Sequence, residues 1–99
     1  MKMKQSFAYA WEKLHLTVSS MATFEEPLET RLRRSFWSQL HRLRSEDLPL
    51  EIREDFTELF EALTKRSEYA ALTHDDARRL IESVISMYDR VTRYEDVPE

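Results

Sequence analysis

The sequence predicts an all-α protein, a single-domain antiparallel four-helix bundle with helices at about 4–21, 27–44, 49–66 and 73–93. Three observations carry this. Apolar side chains recur three and four residues apart in four separate segments, the spacing that lines one face of an α-helix. No stretch alternates with a period of two for long, so no strand pattern competes. The connections are only about four to six residues long, which favours antiparallel neighbours in an up-down-up-down order.

The first stripe is Phe7, Trp11, Leu14, Val18 and Met21, with Trp11 in its middle. Ala8, Ala10, Glu12, Lys13 and Leu14 are good helix formers, while Thr17 to Ser20 weaken the last turn. Pro27 opens the second helix, where a residue lacking an N–H loses nothing. Glu25, Glu26 and Glu29 lie at its positive end and Arg42 and Arg44 at its negative end, as the macrodipole favours. The stripe there is Leu28, Leu32, Phe36, Leu40 and Leu43. Pro49 opens the third helix in the same way, ahead of Ile52, Phe56, Leu59, Phe60 and Leu63. Ser67 to Leu72 reads as an extra turn or a tucked loop. Thr73 then caps the fourth helix, and Asp76 three residues on is placed to bond back. Its stripe is Ala77, Leu80, Ile81, Val84, Ile85, Tyr88 and Val91. Residues 1–3 and 95–99 are expected to fray, and so is Tyr94.

With 99 residues, one domain spanning 1–99 is expected. A hydrophobic share of 41% is too high for a disordered chain, and a charged share of 34% supplies a solvated surface. There is no cysteine, which removes disulfides, thiolate nucleophiles and cysteine metal sites and suits a reducing cytoplasm. There is no glycine, which removes Walker loops, dinucleotide fingerprints and nucleophile elbows in their standard form. No run of 18 apolar residues exists to cross a membrane. Met1 to Gln5 resembles the basic start of a signal peptide, but Glu12, Lys13 and His15 interrupt the apolar core that should follow.

Charge is unevenly placed. Five arginines against three glutamates leave residues 25–44 at +2, and seven acids against Arg53 leave residues 45–64 at −6. The basic side of the second helix is the sharpest feature: Arg31, Arg34 and Arg42, with Ser38 between, fall on one ridge. The first reading of that ridge is pairing with Glu51, Glu54, Glu58 and Glu61 of the next helix, or simple solvation. A protein partner ranks second and nucleic-acid phosphate third, because the chain is acidic overall with a pI near 5.4. Trp37 beside Phe36 either widens the buried face, the preferred reading, or stands out as an aromatic anchor. Tyr9 and Met87 flank their stripes similarly, and the three together suggest a homodimer seam.

Other chemistry finds little support. Glu12 and His15 form a single Glu-x-x-His pair, whereas a di-iron bundle needs two such pairs. His15, His41 and His74 read as structural or surface histidines, and no serine is marked as activated. No metal, cofactor or small-molecule substrate is called for.

The chain resembles a family of small bacterial helical proteins of unknown function. The likeness lies in Trp11-Glu12-Lys13-Leu14 with Val18 and Ser19-Ser20, in Leu28 to Leu32, and in Glu46-Asp47-Leu48-Pro49. It continues through Ile52-Arg53, Asp55-Phe56 and Leu63-Thr64, and in an acidic turn before a helix ending near Tyr88-Asp89-Arg90-Val91. It departs at Glu29-Thr30, where the family pattern has Gln-Glu, and at Arg33-Arg34. The resemblance implies one bacterial helical domain and supplies no catalytic residues. The expectation is therefore a cytoplasmic protein-interaction or regulatory module without catalysis, using Arg31, Arg34, Trp37 and Arg42. Its partner would be a protein, including a second copy of itself. The alternative is a nucleic-acid-binding regulator using the same helix.

Overall fold

The computed structural model describes residues 7–65 and 72–95. Helix α1 spans Ala8–Thr23, α2 Leu28–Ser38, α3 Arg53–Lys65 and α4 His74–Glu95. The described residues contain no strand, and the protein is an all-α four-helix bundle. Contacts between elements fix the directions. Trp11 meets Thr92 and His15 meets Tyr88, so α1 runs against α4. Met21 meets Arg31 and Lys13 meets Gln39, so α2 runs against α1. Asp55 meets Arg90 and Glu51 meets Tyr94, so α3 runs against α4. The order is up-down-up-down, as expected, although the α2–α3 connection runs from Gln39 to Ile52 and is longer than the four to six residues expected. Helix α1 packs against α2 and α4, which also touch each other, while α3 lies against α4. Helices α2 and α3 meet through aromatic rings, Phe36 edge-on to Phe60 at 5.4 Å.

The buried seam of α1 is Phe7, Ala10, Leu14, Thr17 and Met21. Its steps of three, four, three and four repeat in α4, where Ala77, Leu80, Val84, Met87 and Val91 line the inner face. This corrects the expected stripes. Trp11 and Val18 flank the α1 seam and are only partly buried, and the small residues Ala10 and Thr17 occupy its centre. In α4, Met87 is fully buried, whereas Ile85 is 47% exposed. Met87 is therefore core, and it drops out of the expected dimer seam. Thr17 tolerates full burial because its hydroxyl donates to the Lys13 carbonyl at 2.7 Å.

Helix two is shorter than expected. It stops at Ser38, and three 3-10 turns carry the chain to α3: Leu40–Arg42, Ser45–Asp47 and Leu50–Ile52. Leu40 and Leu43 are three residues apart, which the three-per-turn repeat stacks on one side, and both are buried. Leu43 and Leu48 are extended residues that end the first two turns, and both point inward. Asp47 holds the middle turn by accepting from the Arg44 backbone N–H at 2.9 Å. Pro27 and Pro49 each sit one position earlier than expected. They are caps with extended ψ whose carbonyls accept the first turn bond, from Arg31 and Ile52 respectively.

The expected helix starts and frayed ends at 1–3 and 96–99, and the loop reading of 67–71, fall outside the described residues. Helix α4 runs to Glu95, and Tyr94 is engaged rather than frayed. Its ring lies edge-on to Phe7 at 5.3 Å and its hydroxyl donates to Glu51. That carboxylate pushes the Tyr94 phenol above its ordinary pKa. At the other end of α4, Thr73 Oγ1 accepts the Asp76 N–H at 3.0 Å. Thr73 donates in return to the Asp76 carboxylate, which with nearby Arg79 holds that carboxyl below the usual aspartate range.

Two expected outcomes follow from this packing. Met87→Ala should lower unfolding free energy by roughly 2–5 kcal/mol and Ile85→Ala by less than about 1 kcal/mol in urea titration, the reverse of their ranking by apolar character. Because folding lowers the Asp76 pKa, its ionised form stabilises the fold above the unfolded value, and that contribution fades as acid protonates it. Asp76→Asn should therefore lower the thermal midpoint at neutral pH, and the gap from wild type should close as the pH falls below the ordinary aspartate pKa of about 3.9.

Candidate functional site

The inner face of α2 carries Leu32, Ser35 and Phe36, all fully buried. Trp37 is one step past Phe36 and so turns away from the core. It is 47% exposed, so the anchor reading describes it and the preferred buried reading does not. Its indole stands edge-on to the Phe36 ring at 5.2 Å and lies 5.3 Å from His41, tilted by 48°. Those two rings brace it from below and from the side. Arg33, Arg34, Trp37 and Ser38 together line a shallow surface depression of about 390 Å³.

The predicted ridge of Arg31, Arg34 and Arg42 does not form. Arg31 lies partly buried against α1, and its Nη1 donates to the Met21 carbonyl at 3.1 Å. It ties the α1–α2 connection at a carbonyl near the end of α1, where backbone acceptors lack intrahelical donors. Arg34 swings back to Glu26 and stacks over the Phe24 ring at 4.3 Å from its centre. Arg33 pairs with Glu29 one turn earlier at 3.3 Å. Arg42 sits on the first 3-10 turn, beyond the end of α2, exposed and without an ion pair among the described residues.

The expected pairing of these arginines with Glu51, Glu54 and Glu58 is absent among the described residues. Of the α3-side acids, Glu51 accepts from Tyr94 and Asp55 pairs with Arg90. Glu54 and Glu58 are exposed, with no hydrogen bond or ion pair among the described residues.

The histidine of the Glu-x-x-His pair has structural work. His15 stacks on Trp11, ring centres 4.8 Å apart and planes within 8°, and its Nδ1 lies 2.8 Å from the Tyr88 hydroxyl. The Trp11 indole N–H donates to Thr92 Oγ1 at 2.9 Å, and the Thr92 hydroxyl donates to the Tyr88 carbonyl at 2.8 Å. These four residues close the α1–α4 seam on one side. Tyr88 and Thr92 are the members the sequence reading missed. The available signal was Trp11 itself, since a partly buried indole N–H needs an acceptor. No group of three metal-ligating side chains is found among the described residues, and none of their helices is long and apolar enough to cross a membrane.

No family model, characterised protein or solved structure matches the chain.

Arg31 and Arg42 should separate in a stability assay. Arg31→Ala removes a partly buried tie and should cost about 1 kcal/mol. Arg42→Ala should stay within about 0.5 kcal/mol of wild type. Equal urea midpoints for the two variants would contradict the placement of Arg31.

Proposed function

We propose that this chain is a small bacterial protein-interaction module, acting in the cytoplasm by binding another polypeptide and without catalysis of its own. The observation that carries the reading is Trp37: a large aromatic 47% exposed on the outward face of a helix whose inner face is fully used. Indoles braced in this way are the side chains that dominate binding energy at protein interfaces, because little rotamer freedom is lost when a partner covers them. Arg42, on the 3-10 turn that follows α2, adds a polar rim contact, while Arg31 and Arg34 are held by Met21 and Glu26.

A nucleic-acid reading is weaker on the same residues. Phosphate binding draws on several free cations on one face. Here Arg31, Arg33 and Arg34 are committed to Met21, Glu29 and Glu26, which leaves Arg42 and Arg44 exposed without an ion pair among the described residues.

A photo-crosslinking side chain placed at Ser38, which is exposed next to Trp37, tests the reading in living cells. The expected result is a discrete protein adduct that disappears when Trp37→Ser is added and is absent when the crosslinker replaces exposed Arg78 on α4. No adduct from position 38, or equal adducts from both positions, would overturn it.

A further inference from the structure

We infer that the partner covering this face is a second copy of the chain, with the α2 face of each protomer seated on the α3 face of the other. This rests on the binding reading above and names its occupant. The argument is one of charge left unmatched. Residues 25–44 carry a positive balance and residues 45–64 a strongly negative one. Within one protomer, Arg33 and Arg34 turn to acids of their own segment, and among the described residues neither pairs with Glu51, Glu54 or Glu58. Arg42 and Arg44 are left exposed on one side, and Glu54 and Glu58 on the other.

Helical geometry puts those groups on outward faces. Phe56, Leu59 and Leu63 define the inner side of α3; Glu54 lies opposite them at 100° per residue, and Glu58, one turn on, is exposed toward α4, where it lines a depression with Asp55 and Arg79. Glu54 and Glu58 are four residues apart and of like charge, a repulsion that a cation from outside would relieve. Trp37 occupies the corresponding outward position of α2. Leu50, in the turn leading into α3, is 77% exposed, the most exposed large apolar side chain described. Beside these faces a groove of about 400 Å³ runs between the α2–α3 connection and α3, with Leu43, Arg44, Phe56 and Phe60 in its walls.

Because α2 and α3 are antiparallel neighbours, a two-fold axis along the groove lays the α2 of one protomer over the α3 of the other. Both contacts then form at once, basic on acidic twice, and the surface closes on itself. The apolar groove and both Trp37 indoles leave water in the same step, with the charges setting register and orientation. Tyr9, on α1, lies outside this seam.

Light scattering after size exclusion, at about 50 mM salt where exposed charges are least screened, is the first measurement. Wild type should run at twice the 11.9 kDa chain mass. Arg42→Glu with Arg44→Glu makes both faces acidic, and Glu54→Arg with Glu58→Arg makes both basic. Each double variant alone should be monomeric, its self-association weakened at least about tenfold. An equimolar mixture of the two should return to the dimer mass. The chain has no cysteine, so a second measurement is open even if one double variant fails to fold. A short dithiol-reactive linker should join Ser38→Cys chains to Glu58→Cys chains in preference to joining either to itself. A monomeric wild type, a dimer indifferent to both charge changes, a mixture that stays monomeric or an unselective linker overturns the inference. In those cases an adduct from position 38 with a different protein still supports the binding reading, so the two fail separately.

Discussion

The close approach of α1 to two helices at once is the constraint on which the other contacts depend. Helices α2 and α4 also touch each other, so α1 lies in the cleft between them. A helix in that position cannot present large side chains at every inward step. Ala10 and Thr17 alternate with Phe7, Leu14 and Met21, and all five are buried. Interiors pack at the density of organic crystals, so bulk at the two small positions would push a neighbour away. Trp11 is displaced to the flank by the same logic. There its ring stacks on His15 and its N–H reaches Thr92, which turns a side chain too large for the seam into a clasp along its edge.

A second constraint comes from the backbone. With no glycine and no asparagine, the chain lacks the two residues that most readily end a helix in a left-handed conformation. Among the described residues none has positive φ. Reversals are built instead from extended residues and 3-10 turns. Phe24 leaves α1 with ψ near 151° and Leu43 leaves the first 3-10 turn with ψ near 149°. Such turns need anchoring, since their hydrogen bonds are poorer than those of an α-helix. Leu40, Leu43, Leu48 and Ile52 supply it by burying a side chain at each step of the α2–α3 connection.

The fold class was legible in the sequence because it depends on periodicity, and the four stripes are long enough to be read. Leu14, Leu32, Phe36, Phe56, Leu63, Val84 and Val91 are all core, as their spacing predicts. The cap at Thr73 with Asp76 was legible too, because its geometry is local. What escaped was rotation within a stripe. Ala10 and Thr17 look neutral by type, and Ile85 looks more apolar than Met87, yet neighbours in space decide which of them faces inward. The early stop of α2 escaped because nothing at residues 39–44 breaks a helix by itself; the buried path to Leu48 does. The candidate face was legible in composition but not in geometry. Three arginines with similar local settings go to a carbonyl, an aromatic ring with a carboxylate, and solvent. Those fates depend on Met21, Phe24 and Glu26, which lie at the end of the preceding helix and in the loop that follows it.

The two tryptophans occupy opposite surroundings, and this gives the molecule a pair of native optical probes. Trp11 has its N–H bonded and its face against an imidazole, whereas Trp37 is about half in water. Emission from the first reports whether α1 and α4 are closed on each other. Emission from the second shifts with whatever displaces water from the outer side of α2. Unfolding and binding can therefore be followed as separate spectral changes in the unlabelled chain.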